Sequence, residues 1–205
     1  MNDEYYLIEG GEKKGPYTFN ELIDMELTIH TEIIIPKSDV PQYASELPEF
    51  NAYFEAQGIY FPTLDNLAPY GSRIIAFIID YVLVSGVALL IDIKMGWFVM
   101  PTQPTLVLPY PQQLIIAGTC YSIFLIYNVL FETSFFKGSI GKMLFKIIVV
   151  DANGKNLKII NSLVKNLGVI LSLMFFTVPF LSAFFNEHHQ TWYERLTKSY
   201  QIVKN

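Results

Sequence analysis

The chain has 205 residues, of which 52% are hydrophobic and 16% charged, whereas an ordinary globular chain carries about a quarter charged residues. Residues 1–72 hold 13 acidic and 3 basic side chains (net −10), and residues 73–205 hold 6 acidic and 11 basic ones (net +5). The acidic pI near 5.2 argues against nucleic acid as a partner, the single cysteine excludes a disulfide framework within the chain, and the many apolar side chains exclude intrinsic disorder.

The acidic N-terminal part predicts a small soluble α+β domain in residues 1–50. Short apolar runs at residues 5–8 and 33–35 are typical of strands. A helix is predicted over residues 18–27, because Thr18 precedes Glu21 at the spacing at which a hydroxyl and a carboxylate cap each other's backbone N–H groups.

The same segment resembles the bacterial GYF-like modules. The resemblance rests on glycines, aromatic residues and their spacing, namely Tyr5, Gly10-Gly11, Gly15-Pro16-Tyr17, Leu22, Thr31 and Tyr43-Ala44. Tyr6 and Tyr43 stand where that family usually has tryptophan.

The GYF resemblance implies a shallow face for proline-rich peptides, formed by Tyr5, Pro16 and Tyr17. Flat aromatic rings pack well on a polyproline helix, which has little entropy left to lose. The alternative is that these rings form the core of a domain of about fifty residues, in which core side chains are scarce.

Residues 51–69 are predicted to be a linker, and three apolar runs follow at about 73–93, 113–132 and 163–185. Each is long enough for a membrane span. If all three were buried core helices, too little polar sequence would remain to cover a soluble core. The sequence therefore predicts an α-helical membrane protein with two to four membrane segments, in a membrane domain over residues 70–205.

The basic residues predict the orientation of these segments. Arg73 precedes the first run, residues 92–113 contain only Lys94, and residues 132–166 contain six lysines. Because basic residues accumulate on the cytoplasmic side, the N-terminus and residues 132–166 are expected in the cytoplasm. The predicted location is the bacterial cytoplasmic (inner) membrane, which the chain crosses more than once.

The third run has basic residues on both sides and contains Pro179. A segment that re-enters near Pro179, or an even number of crossings, fits the basic residues; three full crossings remain the alternative. A cytoplasmic β-hairpin is predicted at about 143–160, because Asn153-Gly154 is a strong hairpin-turn signal. Residues 199–203 would add a third strand from the same side.

A carboxylate in the middle of an apolar run is costly and usually faces the interior of a helix bundle. Asp80 is such a residue, and Arg73 lies seven positions earlier, on nearly the same helix face and about 10 Å away along the axis. Arg73 pairs with Asp80 only if its side chain extends along the helix toward Asp80. Otherwise Asp80 needs a partner from another helix.

At these residues the chain resembles the RDD family of small membrane proteins, over most of residues 70–205. The resemblance rests on four blocks in order, at residues 71–80, 138–144, 148–155 and 190–196. The family is named for an arginine and two aspartates. The resemblance implies that Arg73 is this arginine and Asp80 the first aspartate, and that Glu194 stands in place of the second aspartate. Glu132, at the end of the second run, completes a candidate intramembrane polar network of Arg73, Asp80, Glu132 and Glu194.

No Ser-His-Asp or Cys-His arrangement is visible and Cys120 has no titratable neighbour, so we expect no enzyme activity, cofactor or metal. Two functions remain, since some RDD members resemble cation/proton antiporters and others are partners in larger assemblies. The first is an accessory subunit that packs in the bilayer against other subunits or a second copy, with a module that binds a proline-rich or other cytoplasmic protein. The alternative is a small oligomeric transporter that uses Asp80.

Overall fold

The computed structural model of the protein describes residues 4–36, 38, 40–98, 108–174, 182–183 and 189–204. The chain divides between Phe61 and Pro62 into two compact units. Each unit has its own cluster of buried apolar side chains.

The N-terminal unit is an α+β fold. An antiparallel sheet of order β2-β1-β3-β4 is formed by β1 (Tyr5–Glu9), β2 (Glu12–Tyr17), β3 (Glu32–Ile34) and β4 (Gln42–Tyr43). Helix α1 (Phe19–Asp24) begins after Thr18, and the predicted capping box with Glu21 is present. The helix ends three residues before the predicted end.

The structure corrects the linker predicted at 51–69. Helix α2 (Asn51–Ala56) follows directly on a 3-10 turn, and Phe50 and Phe54 are completely buried in the core of the N-terminal unit. Ile59 and Phe61 also pack against that core. The unit therefore extends to residue 61, because fifty residues do not supply enough apolar side chains to fill its core, and residues 62–69 belong to the second unit.

Two long helices dominate the second unit, α3 (Tyr70–Lys94) and α4 (Tyr110–Thr133). Both are long and apolar enough to cross a membrane, with mean hydropathies of 2.6 and 2.0 over their most apolar stretches. Only 22% and 11% of these stretches are buried, so most of their apolar side chains point away from the interior of the unit. A core helix of a soluble protein would bury more of them.

Shorter elements complete the second unit. They are α5 (Ile140–Leu144), β5 (Ile147–Asp151), α6 (Ile159–Met174), α7 (Trp192–Leu196) and β6 (Ser199–Val203). Helix α3 packs against α4 and α5, and α4 packs against α6. β5 pairs with β6 in antiparallel register, with Val149 opposite Gln201.

The predicted hairpin at 143–160 is wrong in its second strand. The turn forms, since the Asp151 carboxylate accepts hydrogen bonds from the N–H groups of Asn153 and Lys155. Only one bridge, between Val150 and Asn156, returns to β5, and the chain then enters α6. The partner of β5 is instead β6, which was expected as a third strand. Residues 147–150 are buried, and β6 pairs with β5 along its whole length.

Helix α6 begins at Ile159, four residues before the third predicted segment, and is described as far as Met174. Pro179 and most of the rest of that segment lie outside the described residues. Whether the segment crosses fully or re-enters remains a prediction.

The contact between α6 and α7 generates a testable prediction. A Cβ added at Gly168 in α6 would lie 2.4 Å from Cβ of Tyr193 in α7, so the substitution Gly168→Ala forces the two helices apart. Overpacking of this kind costs about 1–3 kcal/mol, and thermal unfolding of the detergent-purified protein should occur at a lower temperature.

The matched control for this prediction is Gly86→Ala in α3, where an added Cβ meets nothing within 4 Å. It should leave the melting temperature unchanged or raise it slightly, since alanine favours helix over glycine by up to about 1 kcal/mol. Equal melting temperatures for the two variants would contradict the tight α6–α7 contact.

Candidate functional site

The site is built on the buried face of α3. Arg73, Ala76, Asp80, Val84 and Ala88 follow one another at spacings of three or four residues and are all buried. Residues at this spacing share one helix face. The face places the two ionisable side chains inside the second unit, whereas Ile74, Ile75 and Ile78 are exposed.

Asp80 is held by three donors from outside its own helix. Its Oδ1 accepts hydrogen bonds from the Tyr127 hydroxyl and from the Gly141 N–H, each at 2.7 Å, and its Oδ2 accepts one from the Ser139 hydroxyl. The Tyr127 hydroxyl in turn accepts the Ile140 N–H at 2.8 Å. Asp80 and Tyr127 thus each accept one first-turn N–H group of α5, from Gly141 and Ile140, which have no partner within their own helix.

Helix α5 approaches α3 so closely that only glycine fits at position 141. A Cβ there would lie 2.2 Å from the carbonyl oxygen of Ala76 and 2.9 Å from Cγ of Asp80. Helix α5 therefore docks directly on α3, and Gly141 is the residue that permits this contact.

Glu132, at the end of α4, is completely buried and accepts four side-chain hydrogen bonds. Its Oε1 binds the ammonium groups of Lys142, at 2.6 Å, and Lys165. Its Oε2 accepts from the Ser162 hydroxyl at 2.8 Å and from the Asn166 amide at 2.9 Å. One carboxylate therefore joins α4, α5 and α6.

The charge of Lys142 is maintained in this buried position. Burial lowers the pKa of the Lys142 ammonium, but the carboxylates of Glu132, Asp80 and Glu194 together raise it by more, and the pKa lies above its ordinary value. Lys142 therefore remains a cation at neutral pH and stays paired with Glu132.

Arg73 binds the backbone that surrounds the start of α3. Its guanidinium donates to the carbonyl oxygens of Ala68 at 2.9 Å, His189 at 2.8 Å and Gln201 at 3.2 Å. Oε2 of Glu194 lies 3.9 Å from Nη1 of Arg73. Arg73 thus fixes β6 and the segment before α7 to α3.

Glu194 caps the helix in which it lies. Its Oε2 accepts the Thr191 N–H at 2.8 Å and the Thr191 hydroxyl at 2.9 Å, and its Oε1 accepts the Gln201 amide at 2.6 Å. This is a capping box that also binds β6.

The structure places the four candidate network residues in three neighbouring clusters rather than in one. Arg73 does not bind Asp80; its guanidinium donates instead to the backbone carbonyls of Ala68, His189 and Gln201. Arg73 pairs with Glu194, while Asp80 and Glu132 each have their own partners on α4, α5 and α6. All four nevertheless lie within the second unit.

A family model described as RDD family matches residues 67–198. The chain belongs to the RDD family. The match places this chain in a family of membrane proteins. No curated protein and no solved structure matches the chain.

In this RDD protein the four sequence blocks that carry the resemblance meet in one region. They lie at the start of α3, in α5, in β5 with its turn, and in α7. The family match does not extend to the N-terminal unit, and the comparisons give no support to its resemblance to GYF modules.

The predicted peptide face of the N-terminal unit is corrected at one residue. Tyr5 is buried, and its ring packs against Phe19 and Phe50 at 6.4 and 6.0 Å between centroids. Pro16 is exposed and Tyr17 is half-buried against the core. Tyr5 therefore belongs to the core, as the alternative interpretation expected.

Sequence reasoning singled out the carboxylates but missed most of their partners. Tyr127, Ser139, Lys165 and Asn166 contact them from elements distant in sequence. Serine, lysine and asparagine at positions 162, 165 and 166 share one face of α6, and this spacing is the signal that identifies the Glu132 partners.

Asp92 was also missed. It lies in the last turn of α3 and is completely buried, and neither oxygen of its carboxylate has a hydrogen-bond partner in the described part of the chain. Its backbone carbonyl, by contrast, accepts the N–H groups of Trp97 and Phe98.

The RDD unit also contains a cavity of about 470 Å³ among α3, α4, α6 and α7, which is partly open beside the exposed Ile74 and Ile78 of α3. One part of its wall is apolar and the other carries charged and amide side chains. The polar wall includes Arg73, Asp80, Asn128, Lys142, Lys165, Asn166, Glu194 and Gln201.

The Glu132 cluster generates a second prediction. Replacing Glu132 by alanine leaves Lys142 and Lys165 buried without their anion. Removing one partner of a buried ion pair costs about 3–5 kcal/mol, so Glu132→Ala should lower the melting temperature of the detergent-purified protein sharply or prevent its accumulation.

The control for this prediction is Glu9→Ala, which removes the ion pair between Glu9 and Lys14, whose side chains are 60% and 49% exposed. Exposed pairs contribute little, so the melting temperature should not change. If Glu132→Ala melted like Glu9→Ala, the ion cluster would not be what joins α4, α5 and α6.

Proposed function

We propose that this RDD protein is an integral membrane accessory subunit of a larger assembly. In this proposal its membrane helices pack against other subunits in the bacterial inner membrane. Its N-terminal unit lies in the cytoplasm and binds a protein partner there.

One observation supports the proposal: Asp80, the carboxylate expected to serve transport, and its neighbour Glu132 are both hydrogen-bonded inside the protein. Asp80 accepts from three donors and Glu132 from four. A carboxylate that carries an ion must exchange its partners, whereas hydrogen-bonded polar groups of this kind commonly hold helices together in membranes. The arrangement favours a structural use of both residues.

The organisation of the chain supports the same function. The N-terminal unit has its own core and does not rely on the apolar helices for burial. The aromatic side chain of Tyr43 is 43% exposed. Pro16, a residue of the predicted peptide face, is exposed as well. Exposed aromatic rings are enriched in protein-binding surfaces.

The test isolates the N-terminal unit. Tagged full-length protein and a variant lacking residues 1–61 are purified from the native membrane after mild cross-linking, and each is also reconstituted in vesicles. We expect a stoichiometric partner that depends on residues 1–61, and no cation-dependent proton flux from either form.

The control is Asp80→Asn in the full-length chain. Cation-dependent proton flux that this variant abolishes, with the partner still bound, would overturn the accessory function in favour of transport. Identical partners with and without residues 1–61 would show that the N-terminal unit is not the binding module.

A second candidate function, cation or proton coupling, is favoured by Asp92 rather than Asp80. A completely buried carboxylate without a hydrogen-bond donor is unfavourable unless a proton or a cation neutralises it. The negative end of the α3 dipole, close to Asp92, also favours a cation there. Two membrane helices do not enclose a pathway, so this function needs several copies of the chain.

Vesicle flux distinguishes the two carboxylates. If the chain couples to a cation, Asp92→Asn should reduce cation-dependent proton flux at least about tenfold, since the carboxylate that binds the cation is lost. Asp92→Glu, which keeps the charge, should retain part of it. Flux that is unchanged in Asp92→Asn would rule out coupling at this residue.

A further inference from the structure

The cavity among α3, α4, α6 and α7 has a polar end, and apolar side chains extend from it along each long helix. On α3, Arg73 is followed by Ile74, Phe77 and Ile78, and Asp80, which binds α5, lies two residues beyond them. The antiparallel helix α4 places Asn128 at the polar end and Phe124 beyond it.

Helix α6 repeats this arrangement. Lys165 and Asn166 line the polar end of the cavity, and Val169 and Leu173 line the apolar end, one and two turns further along. The polar end lies where α3 begins and α4 ends. If α3 and α4 cross the bilayer, this is the depth of the lipid head groups, and the apolar end lies at the depth of the acyl chains.

The polar end offers more hydrogen-bond donors than acceptors. Each lysine ammonium carries three N–H groups, and Lys142 and Lys165 each donate one hydrogen bond, to Glu132. The guanidinium of Arg73 carries five N–H groups and uses three. The remaining N–H groups of these three side chains take part in none of these hydrogen bonds, and Oε2 of Glu194 lies 3.9 Å from Nη1 of Arg73.

The carboxylates of the cavity, by contrast, are occupied. Asp80 accepts three hydrogen bonds, and Glu194 accepts from Thr191 and Gln201. The Oε1 atom of Gln201 is buried without a partner and lies on a residue that lines the same end. A ligand here is therefore expected to accept hydrogen bonds from cations and to donate one from a hydroxyl.

We propose that the cavity binds an anionic bilayer lipid whose head group also carries a hydroxyl. The lipid phosphate accepts N–H groups of Arg73, Lys142 and Lys165, a head-group hydroxyl donates to Gln201, and the first methylenes of an acyl chain lie between Ile78 and Leu173. Lysine and arginine side chains in pockets between membrane helices bind acidic head groups by this chemistry, and the lining carries three such cations beside the two carboxylates of Asp80 and Glu194.

The size and lining of the cavity select a lipid over a free anion. Its volume of about 470 Å³ is within the usual range for an organic ligand, about 300–1,000 Å³. A free phosphate would occupy the polar end and leave the apolar wall empty, whereas an acyl chain fills it. Lipid binding depends on neither the accessory function nor cation coupling.

The test uses the full-length protein purified in a neutral detergent. Phosphatidylglycerol, phosphatidylcholine and inorganic phosphate are added separately, and retention is measured by native mass spectrometry and by the shift in melting temperature. We expect saturable retention of phosphatidylglycerol with a rise in melting temperature, and neither effect with phosphatidylcholine or inorganic phosphate.

A matched pair of variants locates the site. Ile78 lines the cavity and is 52% exposed, whereas Ile75 is 50% exposed on the same helix and is not part of the lining. Ile78→Trp should weaken phosphatidylglycerol binding at least about tenfold by filling the space for the acyl chain, and Ile75→Trp should leave it unchanged. Ile74→Trp, also in the lining, replaces Ile78→Trp if that variant does not fold.

Three results would overturn the proposal. Equal retention of phosphatidylglycerol and phosphatidylcholine would show that the head group is not recognised. A rise in melting temperature with inorganic phosphate equal to that with phosphatidylglycerol would identify the site as one for a soluble anion. Equal binding by Ile78→Trp and Ile75→Trp would place any bound lipid outside the cavity.

Discussion

A carboxylate buried among apolar helices has to be neutralised and hydrogen-bonded within the protein, because the surrounding medium supplies no donors. Glu132 meets this requirement through Lys142, Lys165, Ser162 and Asn166, and Asp80 meets it through Tyr127, Ser139 and Gly141. Their partners overlap in α5. This helix has five residues and little stability of its own, yet it is fixed because both carboxylates bind it from different sides.

The rest of the RDD unit follows from that arrangement. With α5 docked on α3, β5 follows α5 in the chain and pairs with β6, and Arg73 fixes β6 to α3 through the carbonyl oxygen of Gln201. Helices α3 and α6 both pack against α4 but leave space between them, which becomes the amphipathic cavity. The same polar groups that stabilise the fold therefore line a site with unused hydrogen-bond donors.

Sequence reasoning found the ionisable residues but not their partners. Asp80 and Glu132 stand out because apolar runs rarely contain carboxylates. Their partners do not stand out, since Lys142 and Lys165 look like ordinary cytoplasmic charges when only the orientation rule is applied. In the N-terminal unit, Tyr5 matched a motif for peptide binding, but burial, which that motif does not encode, assigns it to the core.

The sequence by itself determined the features that depend on neighbouring residues: two apolar helices of membrane-spanning length, the capping box of Thr18 and Glu21, and the turn at Asn153-Gly154. Only the tertiary structure decided which distant groups meet. Arg73 binds backbone carbonyls and Glu194 rather than Asp80, and β5 pairs with β6 rather than with the residues after its turn. The reason is physical: local patterns set backbone conformation, whereas the partner of a buried charge or strand is whichever group the packing of all the helices brings within hydrogen-bond distance.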